Sequence, residues 1–168
     1  MRKTLLFITL FGALVLLPAC KPSNRVDFKP SLISVDPGAG WVRLDIPSAL
    51  PACTPRLMGK AGMINAVLLQ DFTDVKKAAD YLQSSFAANE KAVPGSFKQE
   101  EFATDYREPG VHLSYTGQSP KSTTPDLRSH SFITRNRNGR CVSISYITSP
   151  VDESAAVLEA IRKSIRVE

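Results

Sequence analysis

Residues 128–148 read RSHSFITRNRNGRCVSISYIT. Two alternating runs, Arg128 to Thr134 and Arg140 to Thr148, flank Asn138-Gly139. Both turn residues tolerate positive φ, so the pair is a strong short-range signal for a β-hairpin. Val142, Ile144 and Tyr146 share one face of the returning strand, as a period of two requires. Directly after it, Ser149-Pro150-Val151-Asp152 reads as a capped helix start, with Ser149 at the N-cap and Pro150 in the first turn. Val151, Ala155, Leu158, Ile161 and Ile165 form the apolar stripe of that helix. Arg162, Lys163 and Arg166 lie near its C-terminus, where the helix dipole favours cations.

Upstream the same logic gives more strands and one more helix. Ser31–Asp36 and Trp41–Ile46 are short strands separated by the turn cluster Pro37-Gly38-Ala39-Gly40, and a hairpin between them is open. Val42, Leu44 and Ile46 would face the core. Pro47–Pro55 holds three prolines and reads as a loop. Gly62–Phe72 is apolar almost throughout and suits a central strand covered on both faces. Val75, Ala79, Leu82 and Phe86 recur at helical spacing, predicting an amphipathic helix over about 74–88 capped by Thr73 or Asp71. Phe97–Ala103 is a further strand. Pro109-Gly110 marks a turn before Val111, Leu113 and Tyr115, which share one strand face opposite His112, Ser114 and Thr116. Residues 117–126 form a polar loop. The fold class is α+β: an antiparallel β-sheet with helices packed on it.

The first twenty residues carry a different message. Arg2 and Lys3 precede an uncharged apolar run, Leu5–Leu17, and the segment closes on Leu17-Pro18-Ala19-Cys20. This is the layout of a secretory signal, and the run is short of the roughly 20 residues that span a bilayer. The cysteine after a small residue resembles the lipobox of bacterial lipoproteins, which implies cleavage before Cys20 and acylation of that residue. An uncleaved anchor and ordinary secretion are the alternatives. Residues 1–19 are then the signal peptide, 20–30 the lipidated cysteine and a polar tether reaching about 35 Å, and 31–168 a single domain. In Gram-negative lipoproteins an aspartate after the cysteine often marks inner-membrane retention. Lys21 stands there instead, which by that resemblance implies the outer membrane, facing the periplasm, if the source is Gram-negative.

The chain has 168 residues and is 43% hydrophobic and 22% charged, ordinary for a globular protein. Its formal charge of +5 includes Arg2 and Lys3, so the mature chain is only mildly basic. That is not the footprint of a nucleic-acid binder. Three cysteines are an odd count for an exported chain. Acylation of Cys20 leaves Cys53 and Cys141 as a pair, and an oxidising compartment permits a disulfide between them. Such a bond would add about 4–5 kcal/mol in the chain-entropy picture. The alternative is two separate buried thiols.

The order of elements, the turn at Pro109-Gly110 before Val111, and the final Ile161-Arg162-Lys163-Ser164-Ile165 resemble the PsbP-like family across residues 35–167. That family includes the extrinsic photosystem II protein, a Ran-binding nuclear protein and bacterial lipoproteins of the DcrB type. The resemblance implies a PsbP-like α/β sandwich without a shared catalytic set or cofactor, in members that mostly act by binding other proteins.

Candidate chemistry is sparse. No G-x-S-x-G or S-x-x-K is present. His112 and His130 are the two histidines, on strands that can be neighbours, but without H-x-H, H-E-x-x-H or C-x-x-C around them. Arg128, Arg135, Arg137 and Arg140 crowd the last hairpin. They suit docking to anionic head groups or an acidic partner, or a solvated hairpin whose charges block edge pairing. A ligand cleft would be sought near Trp41, Phe132 and the 117–126 loop. The expectation is a non-enzymatic envelope lipoprotein, held on the bilayer by acylated Cys20 and binding a protein partner. A small-molecule or metal-binding lipoprotein is the alternative, and a hydrolase the third.

Overall fold

The computed structural model describes residues 24–45, 52–89, 91–118, 122 and 125–168. The strands in chain order are β1 (Val26–Phe28), β2 (Ile33–Val35), β3 (Val42–Leu44), β4 (Ala52–Gly59) and β5 (Gly62–Leu69). Helix α1 (Val75–Asn89) follows, then β6 (Lys91–Ala92), β7 (Lys98–Ala103), β8 (Pro109–Gln118), β9 (Leu127–Arg135) and β10 (Cys141–Thr148). Helix α2 (Ala155–Ser164) and β11 (Arg166–Val167) end the chain. Eight strands form one antiparallel sheet in the order β3-β4-β5-β10-β9-β8-β6, with β7 also pairing β8. A second sheet has the order β1-β2-β11. The α+β expectation holds.

The hairpin of residues 128–148 is the centre of the large sheet. β10 lies between β5 and β9, with Tyr146 opposite Ile64 and His130. The pleat sends alternate residues to opposite faces. The first face carries Ile64, Ala66, Phe132, Val142, Ile144 and Tyr146, and it packs on Val26, Phe28, Ile33 and Val35 of the small sheet and Ile161 and Ile165 at the end of α2. The second face carries Leu69, Val111, Leu113, Ile133 and Cys141 under Ala78 and Ala79 of α1. β5 is central as its apolar run implies, but it is fully covered only on the first face at Ile64 and Ala66 and at Leu69 on the second, with Met63, Asn65 and Val67 half-buried. Gly62 opens it at φ 129°, where a Cβ would stand 2.2 Å from the Ile147 carbonyl oxygen, so no other residue fits without displacement.

Several local expectations change. The hairpin turn is longer than Asn138-Gly139. The Asn136 N–H donates to the Arg140 carbonyl, the Asn136 carboxamide oxygen accepts from the N–H groups of Asn138 and Arg140, and Gly139 takes φ 74°. Asn136 is buried and also donates to the Ser31 carbonyl at 3.1 Å, tying the turn to the small sheet. The polar stretch read as a tether to residue 30 already contains β1, whose Val26 and Phe28 are buried. Two apolar positions two apart in a polar context suffice once a neighbouring strand supplies the pairing. β2 and β3 are not a hairpin, because they belong to different sheets. β3 faces the opposite way from expectation: Val42 is 62% exposed, whereas Trp41 packs on the core and meets the edge of Tyr146. Part of the proline-rich loop is strand, since β4 starts at Ala52 and its register shifts between Cys53 and Leu57. Pro55 sits in that irregularity, where no ladder N–H is required. Pro109-Gly110 begins β8 rather than forming a turn. The chain reverses over 104–108, closed by the Thr104 N–H to the Glu108 carbonyl, with Arg107 at φ 62°.

Helix ends are set by other residues than those expected. Asp74 caps α1, its carboxylate accepting the Lys77 N–H at 3.0 Å, and that bond holds its pKa below the ordinary carboxylate value. Ser154 caps α2 by accepting from the Val157 N–H. Ser149 and Asp152 instead close a separate turn, side chain to side chain at 2.6 Å. Val151 is therefore solvent-exposed and outside the apolar stripe.

Candidate functional site

Strand parity decides where the two histidines go. His112 on β8 pairs with Phe132 on β9, and His130 on β9 pairs with Tyr146 on β10. All four therefore belong to the first face. His112 stacks on Phe132 at 4.6 Å between centroids and on His130 at 5.3 Å; His130 in turn stacks on Tyr146 at 6.0 Å. Phe102 closes one end of this row of rings and Trp41 the other. Trp41 and Phe132, where a cleft was sought, are thus members of one aromatic row. A hollow of ≈ 230 Å³ does lie against Trp41, lined also by Gly38, Arg43 and Leu57. Residues 119–121 and 123–124 of the polar loop lie outside the described residues.

The two histidine rings, near parallel, also meet nitrogen to nitrogen. His112 Nε2 is 3.1 Å from His130 Nδ1. His130 Nε2 is 2.9 Å from Glu153 Oε1, an ion-pair distance off the line of a good hydrogen bond. Glu153 arrives from the segment between β10 and α2, and its other oxygen lies 3.6 Å from Arg128 Nε. Arg128 also donates to the Thr116 hydroxyl. A carboxylate beside Nε2 favours the proton on that nitrogen, which leaves Nδ1 of His130 to accept from His112. Burial pushes the His112 imidazole down to about 4, and His130 beside it adds to the shift. Burial lowers His130 as well, opposed by Glu153. Both shifts favour the uncharged ring at neutral pH. A hollow of ≈ 330 Å³ opens on this group, walled by Lys98, Glu100, Ser114, Arg128, His130 and Glu153.

The arrangement organises protons but presents no activated nucleophile. Among the described residues no serine hydroxyl hydrogen-bonds either ring. None of their His, Cys, Asp and Glu side chains form a group of three or more placed to hold a metal ion. The facing nitrogens of the pair are occupied by each other.

The other predicted site residues separate. Cys20 lies outside the described residues. The Cys53–Cys141 disulfide does not form: Cys141 is a buried free thiol, pushed up to about 11 by that burial. Register explains it. Cys53 pairs with Ala66 on one side of β5, while Cys141 pairs with Leu69 on the other. Two strand spacings, about 10 Å, lie between the backbones, beyond the roughly 7 Å a disulfide spans. The arginine cluster divides too. Arg135, Arg137 and Arg140 stand exposed at the turn, whereas Arg128 is at the far end of β9 with Glu153. Glu153 had no sequence signal beyond its place near a helix start.

One feature of the second face was not read from the sequence. Val42, Met58, Met63 and Ile147 pair in turn across β3, β4, β5 and β10. They form an apolar row in which Val42 is 62% and Met58 41% exposed. Among the described elements α1 packs on β6, β8 and β9, away from this row. Between the row and α1 runs a groove of ≈ 570 Å³ walled by Val67, Leu69, Phe72, Tyr81 and Leu82, with Asn65 among its polar groups.

No family model matches the chain, and no curated protein does. Among solved structures, the solution structure of cyanobacterial PsbP (CyanoP) from Synechocystis sp. PCC 6803 superposes with a TM-score of 0.61 at 13% identity, over 94% of this chain and 100% of that one. The fold is PsbP-like.

Proposed function

We propose that this chain is a non-enzymatic lipoprotein of the bacterial cell envelope, anchored through acylated Cys20, whose PsbP-like domain holds a protein partner on the open half of its second sheet face. The observation that carries the reading is the row Val42–Met58–Met63–Ile147, apolar across four strands, exposed at Val42 and Met58 and half-buried at Met63 and Ile147. Contiguous exposed apolar surface marks interaction sites, and methionine side chains adapt to a partner's shape. The lipobox-like Leu17-Pro18-Ala19-Cys20 supports the anchor, and Lys21 supports the outer membrane in a Gram-negative source. Photocrosslinking in the native envelope tests the partner. A photoreactive residue at Val42 or Met58 captures one defined protein, and the same residue at Arg137 does not. Equal, diffuse capture at all three positions refutes the reading. Mass spectrometry of the Cys20 peptide tests the anchor separately, and a free thiol there on protein from the soluble fraction removes it.

A second reading has its own observation. The hollow at His130 offers Lys98, Arg128, Glu100 and Glu153 around a buried imidazole, a setting for a small polar molecule. A set of small amino acids and carboxylates that leaves the His130 ring resonances unmoved argues against it.

A further inference from the structure

The point at which the chain enters the domain is fixed more tightly than a ten-residue tether would allow. β1 begins at Val26, so only residues 21–25 separate Cys20 from the folded body. Fully extended, they span about 18 Å. The surface around Arg25 is therefore the part of the domain that an acylated Cys20 holds against the bilayer.

That surface has a particular composition. The Arg25 guanidinium donates to the Tyr106 hydroxyl at 3.3 Å and, from its other nitrogen, to the Ser34 hydroxyl and the Ser164 carbonyl at 2.9 Å each. It lies 5.6 Å from the Tyr106 ring centroid, and Arg166 lies at the same distance from that ring. Tyr106 is nonetheless 47% exposed. Beside it a hollow of ≈ 310 Å³ is lined by Arg25, Asp36, Asp105, Tyr106, Lys163 and Ser164. Tyrosine flanked by arginine and lysine is the side-chain set that sits at a membrane–water interface. Asp36 and Asp105, with Glu159 at 3.1 Å from Lys163 and Glu168 at 4.0 Å from Arg166, make this more than a basic patch. A phospholipid head group carries a phosphate for the cations and, in phosphatidylethanolamine, an ammonium for the carboxylates.

We infer that the Arg25–Tyr106–Arg166 cluster with Lys163 is a docking surface for the phospholipid head-group layer, which the short tether presses onto it. This rests on the acylation of Cys20 proposed above. The docked domain stands with α2 and the small sheet toward the bilayer. The second sheet face, with its apolar row, points away and stays open to a partner.

Tyr81 supplies an internal control, because it is 53% exposed on α1, on the opposite face of the large sheet. The acylated full-length mature protein is iodinated in detergent micelles and in vesicles of phosphatidylethanolamine and phosphatidylglycerol, and each tyrosine is read by mass spectrometry. Tyr106 is expected to iodinate several-fold more slowly on vesicles, with Tyr81 unchanged. The variant carrying Lys163→Ser and Arg166→Ser, both exposed positions, is expected to lose that protection while Tyr81 again stays the same. Three results overturn the inference: no protection of Tyr106, equal protection of both tyrosines, or full protection in the double variant. The last would mean proximity without docking. Vesicles of phosphatidylcholine alone separate the sources of attraction, and protection as strong there overturns the role given to the aspartates and the ethanolamine ammonium. The Cys20 peptide in the same digest keeps the two claims apart. An unacylated cysteine defeats the lipoprotein reading, whereas an acylated one with a reactive Tyr106 defeats only this surface.

Discussion

The two faces of the large sheet solve opposite problems. The first buries polar groups: His130 and Thr134, with the half-buried His112 beside them, lie among Phe132, Tyr146 and Ile144, beneath the small sheet and α2. The second leaves Val42 and Met58 in water and Met63 and Ile147 half-buried beside them, while α1 covers its other half. A buried polar group is tolerated when its partners are supplied, and here the facing nitrogens of the two histidines supply each other, Glu153 lies beside His130 Nε2, and Thr134 donates to the Pro109 carbonyl. An exposed apolar row gives the fold little, since hydrophobic stabilisation scales with area removed from water. The contrast separates the surface that holds the molecule together from the surface free to do something else.

The largest expected effect tests the covered face. Phe132 is 1% exposed, stacked on His112 and edge-on to Phe102. Phe132→Ala is expected to cost about 4 kcal/mol of unfolding free energy in urea titration, as buried phenylalanine truncations do. A loss under about 1 kcal/mol would show that the aromatic row is not the core.

Acid should act on the same face. Both imidazoles are lowered in the folded state, so the unfolded chain binds more protons once pH falls below about 6.5. Stability is full above that value and declines as pH falls toward about 4, where His112 titrates in the fold. Thermal melts between pH 7 and pH 4.5 check the direction, and His112→Gln, which keeps a donor for His130, should flatten the slope in that window. An unchanged slope would place the acid sensitivity elsewhere. The covered part of the second face gives a smaller signal. Ser131 is 1% exposed and its hydroxyl lies 3.2 Å from that of Ser145. Ser131→Ala is expected to cost about 1 kcal/mol.

Period-two alternation makes the covered parts of both faces legible in the sequence. Val142, Ile144 and Tyr146 are the buried side of β10, and Val111, Leu113 and Tyr115 share the side of β8 that α1 covers. Helix periodicity found Val75, Leu82 and Phe86 for the same reason: each pattern is local, and the solvent boundary enforces it. What failed was non-local. β3 alternates just as cleanly, but its apolar side faces the open half, because Trp41 gains more from Tyr146 than Val42 would. β1 looked like tether because its partner, β2, is set by contacts with β11 at the other end of the chain. The cysteines could be counted but not placed, since the intervening β5 appears in neither of their neighbourhoods. His112 and His130 were visible as residues on adjoining strands. Glu153 was not, because its reach to His130 depends on α2 starting at Ser154 rather than after Ser149.

The smallest effect is the most discriminating. Met58 is 41% exposed, between Val42 and Met63 on the open row. Met58→Ser removes apolar surface that folding has only partly withdrawn from water, so its cost in urea titration should stay within about 0.5 kcal/mol. Yet if the row is where a partner sits, the same substitution strips a contact that becomes buried only on binding, and truncations at the centre of such a patch weaken association by about 1–2 kcal/mol, roughly five- to thirtyfold in affinity. Crosslinking yield in the envelope and unfolding free energy should therefore move independently at Met58, and together at Phe132. A Met58→Ser protein that loses several kcal/mol of stability would mean that the row is closed in the folded state. One that keeps both stability and crosslink would mean that the partner lies elsewhere. Only a stable protein with a lost crosslink leaves the division of labour between the two faces standing.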